Sequence, residues 1–402
     1  MTDAPTVRDE RFREIAYRRS AEPRAFFHER QARGPFVHGE TERGNPELLS
    51  REGVEFVLRN PDLFSSAMGI MGSAEPPIPI GIDPPQHAEY RKLLDPAFSP
   101  RRMAALQPTV AAHTHGFIDA FIDRGECDFS QELSVPLPGS TFLDLLGVPQ
   151  TELPKLLHWK DVMIHNVRLG GGVEGGLKLL AETVPQIYAY LYQVIAERRD
   201  QPADDVISRL LDARLSDGRL LSDNEIARTL FLFISAGLDT VSVSLQCIFN
   251  FLATNPEARQ MLVDEPDTTD NLIEELLRWE SPVQSVLPRT ATQDVEVLGC
   301  PFKKGEVVDV LLGAANIDPA VPGADTVDVR SGNKRHLAFG AGPHRCLGSH
   351  LARMELRTVV REWHKRIPNY RLKEGYVPEW NAHFVRGVDH LMLEWDKDEV
   401  NR

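Results

Sequence analysis

The sequence predicts a mainly α-helical protein with a small β portion, and three patterns agree with this fold class. Residues 230–253 are apolar almost throughout, and a helix of that length crosses a whole domain at about 1.5 Å per residue. After Leu347 the apolar residues recur at helical spacing, which indicates a second, amphipathic helix. Strand patterns are short: residues 294–305 indicate a hairpin and residues 391–395 a final strand.

Length and composition indicate one large domain. A chain of 402 residues is long enough for more than one domain, but no linker or repeat divides it. Residues 1–20 are charged and lack the apolar stretch of a signal peptide. We therefore expect a flexible N-terminal tail, 1–20, a single domain, 21–402, and no membrane anchor. The four cysteines are too few and too far apart for a disulfide framework, which suits the reducing cytoplasm.

The charge of the chain argues against nucleic acid as its main partner. The sequence has 59 acidic and 45 basic residues, a net charge of -14. Such a balance repels a phosphate backbone.

The first helix with a chemical pattern begins after Asp83-Pro84-Pro85. Prolines at this position are typical of a helix N-terminus. The helix places His87 and Arg91 four residues apart on one face. Such a pair can hold an anion, or it can belong to a solvated basic face.

The long apolar run, 230–253, is predicted to be a core helix. It is long enough to span a membrane, but Asp239 lies near its middle, and a charge at that depth costs several kcal/mol. A helix buried inside a soluble protein fits better, and Asn255-Pro256 ends it. Within it, Gly237 weakens the helix and the Thr240 hydroxyl can bond a carbonyl four residues back. One interpretation is a kink with Asp239 in a salt bridge.

Glu275 and Arg278 lie three residues apart on one face of the next predicted helix. At that spacing the two side chains can pair. An exposed pair of this kind contributes little and is common, so the spacing alone assigns no function.

Residues 339–348 set one cysteine, Cys346, in a glycine-rich loop just before the second helix. Glycines let the backbone adopt positive φ and bring N–H groups close to the sulfur. The N-terminus of the following helix favours a thiolate, so the loop is typical of a metal-binding cysteine. Two alternatives are an inert buried thiol and a zinc site of His344, Cys346 and His350, which lacks the paired short spacings of such sites.

The loop resembles the haem-ligand loop of the cytochrome P450 family. Five residues match the fixed positions of the family pattern: Phe339, Gly342, His344, Cys346 and Gly348. The resemblance covers nearly the whole chain, roughly 51–395. It implies the cytochrome P450 fold of the soluble bacterial type, a triangular helix-rich domain with a small β-rich lobe.

The resemblance also implies a cofactor and its ligands. The cofactor is haem b, with Cys346 as the axial thiolate on iron and Phe339, Gly340 and Gly348 beside it. His87, Arg91, Arg289 and His344 are implied to bind the haem propionates by charge-assisted hydrogen bonds. Glu275 and Arg278 become a structural ion pair, needed for haem incorporation.

Residues 236–240, Ala-Gly-Leu-Asp-Thr, resemble the oxygen-activation motif of the same family. The resemblance implies that Ala236 and Gly237 line the oxygen groove. It also implies that Thr240 and Asp239 are catalytic, as the alcohol and the acid that relay protons.

The family's variable segments imply where the substrate binds. Here they are 68–82, 166–183, 283–287 and 383–388, and they are mostly apolar. The candidate wall residues are Met68, Ile70, Ile78, Ile80, Val286, Leu287, Phe384 and Val385. For each of them ordinary core packing is the alternative. The glycine-rich stretch 170–176 suits a mobile lid between two helices, or an idle flexible loop.

Taken together, the resemblance implies a monooxygenase, or hydroxylase, that inserts one atom of O2 into a small to medium hydrophobic substrate. Terpenoid, steroid and polyketide-like molecules are the candidates. We expect electrons from a separate ferredoxin and its reductase. A peroxide-driven fatty-acid peroxygenase is one alternative, although such members lack the acid–alcohol pair. A haem sensor or electron carrier without turnover is another.

A basic segment surrounds the predicted thiolate ligand. Between residues 334 and 366 eight basic residues face only two acidic ones. The basic residues are Lys334, Arg335, Arg345, Arg353, Arg357, Arg361, Lys365 and Arg366. They form either a solvated helix face or a docking patch for the acidic ferredoxin.

Overall fold

The structure is a computed structural model that describes residues 7–38, 44–68, 73, 75–330, 335–382 and 385–401. Helices dominate this part of the chain. Their bounds are α1 (Val7–Ala21), α2 (Pro23–Gln31), α3 (Arg51–Arg59), α4 (Gln86–Leu94), α5 (Pro100–Phe121), α6 (Pro136–Leu146), α7 (Leu153–Leu169), α8 (Val173–Asp200), α9 (Val206–Asp212), α10 (Asp223–Thr254), α11 (Pro256–Asp264), α12 (Thr269–Glu280), α13 (Leu312–Asn316) and α14 (Ser349–Arg366).

The strands are short and form four small sheets. Their bounds are β1 (Phe36–Val37), β2 (Glu47–Leu48), β3 (Phe64–Ser65), β4 (Glu126–Asp128), β5 (Arg289–Ala291), β6 (Val295–Val297), β7 (Cys300–Phe302), β8 (Val307–Val310), β9 (Arg371–Leu372), β10 (Trp380–Ala382), β11 (Arg386–Val388) and β12 (Met392–Glu394). The strand orders are β1-β2-β8-β5-β3, β4-β12-β9, β6-β7 and β10-β11. This confirms a mainly α fold with a small β portion.

Both predicted strand regions are present. In the hairpin β6–β7 the turn residues Leu298 and Gly299 have φ of 48° and 79°, the positive values that a tight hairpin turn requires. Strand β12 lies between β4 and β9.

The long helix α10 is the centre of the fold. A capping box of Ser222 and Glu225 starts it, and it ends at Thr254, just before Asn255-Pro256. It packs against α6, α7, α8, α12 and α14. Although it is long and apolar enough to cross a membrane, 83% of its most apolar window is buried inside the protein. The prediction of a core helix is confirmed.

The glycine-rich stretch differs from the predicted loop. Helix α7 ends at Leu169 and α8 begins at Val173, so only Gly170–Gly172 connect them and the prediction of a seven-residue loop is wrong. A Cβ on Gly170 would lie 2.2 Å from the Gly176 nitrogen, and one on Gly175 would lie 2.0 Å from the Gly170 oxygen. These glycines let the backbones of α7 and α8 touch.

Most of the expected N-terminal tail is helical. Helix α1 covers Val7–Ala21, and residues 1–6 lie outside the described part. Its end is held by Gln284 Nε2, which donates to the Arg19 carbonyl at 3.0 Å, and by Arg386 Nε, which donates to the Ser20 carbonyl at 2.7 Å. The division into a tail and one domain stays a prediction.

Candidate haem site

The cysteine loop is held in a tight turn against helix α3. Gly340 and Gly342 have φ of 69° and 68°, values that side chains disfavour. A Cβ on Gly342 would lie 2.0 Å from the Leu58 carbonyl oxygen, so the backbones are in direct contact. The Cys346 N–H donates to the Phe339 carbonyl at 2.9 Å. The loop therefore fixes the cysteine backbone before α14 begins.

Cys346 is the exposed cysteine among the four, while Cys127 and Cys247 are buried and Cys300 is half-buried. Its thiol is accessible, but the protein around it displaces most of the water. This desolvation raises the pKa of Cys346, outweighing the hydrogen bond from the Gly348 N–H and the positive charge of Arg91. The Gly348 N–H, just before α14, acts in the expected direction and lowers the pKa, but desolvation outweighs it. A metal cation at the sulfur would hold the thiolate.

The structure brings together the four predicted anion-binding side chains. The rings of His87, on α4, and His344, in the cysteine loop, lie 4.1 Å apart between centroids. Arg91 Nη1 donates to the Arg345 carbonyl at 2.7 Å, which joins α4 to the loop. Desolvation, together with positive charge on His87, Arg289 and Arg91, lowers the pKa of His344 to about 3.

The two histidines of this cluster have ring nitrogens without hydrogen-bond partners among the described residues. Among the described residues, no partner is found for Nε2 of His87 or for either ring nitrogen of His344. Desolvation lowers the pKa of Arg289 to about 10, and its Nη1 donates only to the carbonyls of Leu287 and Pro288, at 2.6 and 3.2 Å. Buried polar groups are normally hydrogen-bonded. The cluster is thus suited to bind a ligand with more than one anionic group.

Helix α10 contributes small, uncharged residues, in contrast to the cationic cluster. Ala236 and Gly237 are exposed, whereas residues 229–235 before them and Leu238 and Asp239 after them are buried. The helix is continuous here, and Thr240 Oγ1 donates to the Ala236 carbonyl at 3.1 Å. Leu347, next to Cys346, packs against the core cluster that contains Leu238. The small residues of α10 therefore border open space on a helix that is otherwise mostly buried, and a Cβ on Gly237 would meet nothing within 4 Å.

Asp239 is paired with helix α7. Lys160 Nζ lies 3.1 Å from its Oδ1, and His165 Nε2 lies 3.6 Å from its Oδ2. Burial alone would raise the pKa of Asp239, but Lys160 and His165 lower it to about 2. At His165 the backbone leaves helical geometry, with φ -113° and ψ 21°. The kink is thus in α7, and the salt bridge considered for Asp239 is formed.

Glu275 and Arg278 form a bidentate pair inside the protein. Arg278 Nε and Nη2 donate to the two carboxylate oxygens at 2.8 and 2.7 Å. The same guanidinium donates to the carbonyls of Asn316, Ala324 and Thr326 at 2.7 to 2.9 Å. The pair therefore fastens α12 to the chain that precedes the cysteine loop.

Three carboxylates of other elements neutralise about half of the excess positive charge of the basic segment 334–366, while Lys365 pairs with Glu362 of the segment itself. Lys334 lies outside the described residues. Arg353 pairs with Glu274, Arg357 and Arg361 with Asp270, Lys365 with Glu362, and Arg366 with Asp119. Among the described residues, Arg335 and Arg345 have no carboxylate partner. The local excess of positive charge counted along the sequence is thus smaller on the folded surface.

The candidate pocket residues have different surroundings. Ile78 is fully buried in the core cluster of α4 and α10, and Val286 packs against the cluster of β5 and β8, which is the alternative of ordinary packing. Met68, Ile80 and Leu287 are half-buried. Val283 and Val385 pair in an antiparallel bridge that joins two predicted pocket segments. Ile70 and Phe384 lie outside the described residues.

The helical fold, the accessible cysteine in its glycine-rich loop and the cationic cluster beside it together resemble the site of a haem protein with a cysteine ligand. The known proteins that resemble this chain support the same class. The cytochrome P450 family model matches residues 176–363.

A probable cytochrome P450 127A1 of Sinorhizobium fredii is 35% identical over 345 residues, 84% of this chain and 80% of that protein. The steroid C26-monooxygenase of Mycolicibacterium smegmatis is 35% identical over 338 residues, 83% of each chain. A crystal structure of CYP109E1 from Bacillus megaterium with testosterone superposes with a TM-score of 0.83 at 29% identity, covering 93% of this chain and 99% of that one. The chain belongs to the cytochrome P450 family.

As a family member the protein is a haem monooxygenase that binds haem b through a cysteine thiolate. It takes a hydrophobic substrate, O2 and electrons from a redox partner. The residues fit the cofactor, because the unpartnered ring nitrogens of His87 and His344 and the positive charge of Arg289 suit two propionates and the loop offers an accessible thiol.

Sequence reasoning missed the residues that hold the site from a distance. Lys160 and His165 lie on another helix from Asp239, and Glu274 binds both His336 and Arg353. A lysine and a histidine five residues apart on an amphipathic helix give no signal of their own. Only the fold shows which carboxylate they meet.

Proposed function

We propose that the Cys346 thiolate would hold the haem iron and that this monooxygenase oxidises a neutral, hydrophobic molecule of steroid, terpenoid or polyketide type. The observation that carries the proposal is the cluster of His87 and His344, whose ring nitrogens have no partner among the described residues, with the Arg289 guanidinium nearby and the accessible cysteine in the adjoining loop. Bound haem supplies the iron centre that activates O2. His87, Arg91, Arg289 and His344 bind the two propionates, and the Cys346 loop orients the sulfur.

The chain's own residues deliver the protons. The hydroxyl of Thr240 lies at the exposed end of the short relay and Asp239 at its buried end. While Lys160 holds Asp239 Oδ1 at 3.1 Å, that carboxylate is ionised and tied to α7. Proton delivery therefore needs the pair to open, so that Asp239 can exchange a proton with water and pass it to the Thr240 hydroxyl.

The substrate site is bounded by Ala236 and Gly237 on α10 and by half-buried apolar side chains of the variable segments. Met68, Ile80, Val286 and Leu287 are the described candidates with accessible surface. An apolar wall with few polar groups selects a neutral molecule. The relative named as a steroid C26-monooxygenase and the neighbour solved with testosterone support a steroid-like substrate.

The electron donor is a ferredoxin, supplied by its own reductase, that docks on the cysteine-loop side. Because most basic residues of 334–366 are paired with acids, the docking charge falls mainly on Arg345, which is exposed and next to Cys346. The Arg345→Glu variant should slow reduction by a ferredoxin and weaken the salt dependence of the rate. We also assign the protein to the cytoplasm, with residues 21–402 as one domain.

The ferrous carbon monoxide spectrum tests the ligand assignment. Wild type and the Cys300→Ser control should show the strongly red-shifted band of a thiolate-ligated haem, and Cys346→Ser should lose it. A wild type without that band, or a Cys346→Ser variant that keeps it, contradicts the assignment. A spin-state titration with steroids, terpenoids and macrolides then identifies the substrate class, and a panel without any shift contradicts the proposed pocket.

A further inference from the structure

The carboxylate of Glu274 binds one residue before the cysteine loop and one residue after it. Arg353 Nε and Nη2 donate to Glu274 Oε1 and Oε2 at 2.6 and 2.7 Å. His336 Nε2 lies 2.9 Å from Glu274 Oε2. His336 precedes Cys346 and Arg353 follows it on α14. The carboxylate therefore closes a loop of chain around the cysteine.

The ring of His336 continues this contact into the backbone of the loop. The Ala338 N–H donates to His336 Nδ1 at 3.1 Å, so Nδ1 is the acceptor and Nε2 carries the proton. The Nε2–H then donates to Glu274. Through this one ring the carboxylate of α12 fixes the position of Ala338, the residue before Phe339.

The guanidinium of Arg353 continues the contact from the other side. It lies 4.3 Å from the centroid of the Phe339 ring, within the range of a cation–π contact. The Phe339 carbonyl accepts the hydrogen bond of the Cys346 N–H at 2.9 Å. Phe339 is thus held through Ala338 and through Arg353, and it holds Cys346 in turn.

Glu274 is ionised in this network. Burial by itself would raise its pKa, but the hydrogen bonds from Arg353 and His336 lower it to about 2. A charged acceptor makes each of these bonds stronger than a neutral one. The neighbouring Glu275 has a different task, because its carboxylate binds Arg278 on its own helix.

We propose that Glu274 is the positioning residue of the cysteine ligand: its carboxylate fixes His336 and Arg353, and through them Phe339 and the direction of the Cys346 sulfur. This inference rests on the proposed role of Cys346 as the axial ligand. In this proposal Glu274 acts through the loop, by way of His336 and Arg353.

The test compares two carboxylates of the same helix. Asp270 lies one turn before Glu274 and forms ion pairs with Arg357 and Arg361, also on α14, at 2.5 and 3.6 Å. Asp270→Asn therefore weakens the α12–α14 contact without touching the loop. Glu274→Gln weakens the same contact and also the hydrogen bonds with His336 and Arg353 that position the loop. It preserves the shape of the side chain.

The readout is the ligand state of the haem-loaded protein. In the ferrous carbon monoxide complex, Glu274→Gln should convert from the red-shifted thiolate band to the band of the protonated ligand about tenfold faster than wild type, the effect of one weakened charge-assisted hydrogen bond. Asp270→Asn should stay within about twofold of wild type, since exposed pairs contribute little. Equal conversion rates of the two variants would overturn the proposal.

A second variant covers a failure to fold. Arg353→Lys keeps the charge but loses the planar fork and the stacking on Phe339, and it should shift the conversion rate in the same direction. An unchanged rate in Arg353→Lys overturns the proposal even where Glu274→Gln does not accumulate. If the Cys346 assignment itself is wrong, wild type lacks the thiolate band, so the two failures are distinguishable.

Discussion

Two buried ion pairs of this protein differ in the number and the location of their additional partners. Glu275 and Arg278 lie on one helix, each with 2% of its side chain exposed, and the guanidinium also binds three carbonyls. Asp239 and Lys160 lie on different helices. Among the described residues Asp239 Oδ2 has only the longer contact with His165 Nε2, at 3.6 Å, and Lys160 is shared with the half-exposed Asp161 at 2.6 Å.

The difference separates a fixed pair from one that can open. If the Glu275–Arg278 pair opened, its polar atoms would become buried donors and acceptors without partners, at a high free-energy cost. Lys160 can leave Asp239 by turning toward Asp161 and solvent, and the α7 backbone is already kinked at His165. The first pair therefore serves the fold, and the second suits the proposed proton delivery.

The largest effect should come from Arg278→Ala. It leaves the Glu275 carboxylate buried without its counter-charge, which costs about 3–5 kcal/mol of unfolding free energy. We expect little folded, haem-loaded protein, measured as the ratio of haem absorbance to protein. Arg330→Ala removes an exposed pair with Glu265 and is the control. Normal haem content in Arg278→Ala would refute the assignment of a fixed pair.

Glu355 sharpens the comparison because it is a buried acid without a cationic partner among the described residues. Burial raises its pKa from 4.5 to about 8, so the folded state binds a proton that the unfolded state has lost. Stability therefore falls as pH rises from the ordinary pKa through about 8. Glu355→Gln should remove this loss.

The size of that effect is measurable by denaturant unfolding. At about pH 5 wild type and Glu355→Gln should be equally stable, and at about pH 8 the variant should exceed wild type by on the order of 3 kcal/mol. Parallel pH profiles of the two proteins would show that Glu355 is not neutral in the fold.

Asp239→Asn should reduce turnover about 100-fold, the scale of a lost general acid. The variant keeps the shape of the side chain, so substrate-induced spin shifts should persist. Asp161→Asn, which alters the other partner of Lys160, is the matched control and should keep near-normal turnover. A similar loss in both variants, measured with the same electron donor, would exclude a specific role for Asp239.

Lys160→Met should have the smallest effect, a change of up to about tenfold in turnover. Without Lys160, burial raises the pKa of Asp239, which the pair otherwise lowers to about 2. The variant should therefore acquire a pH dependence of turnover at higher pH than wild type, because the acid form of Asp239 becomes populated there. Superimposable pH profiles would mean that Lys160 does not control this acid.

Features that are local in sequence could be predicted. The cysteine loop, the start of α4 behind Pro84-Pro85 and the long helix α10 depend on neighbouring residues, on caps and on apolar spacing, and all are found where the sequence indicates them. The order in which the motifs follow one another along the chain is also visible in the sequence.

Features that depend on the packing of distant segments could not be predicted. Lys160 meets Asp239 across 79 residues, and Glu274 meets Arg353 across the same separation. The basic segment 334–366 was counted as positive because Asp119, Asp270 and Glu274, which neutralise part of its charge, lie far away in sequence. The glycines 170–176 indicated a loop, since glycine favours both loops and close helix contacts.

Gly170 contacts Gly175 and Gly176. This contact limits the positions at which optical or spin labels can be attached to follow motion of the α7–α8 hairpin. The hairpin tip is on the surface, where labels and grafted peptides are usually attached, yet no side chain fits at these glycines. Val173 and Leu177, with exposures of 62% and 61%, are the attachment points that leave the contact intact. A probe there would report on the tip of the hairpin, where the backbones of α7 and α8 are in contact.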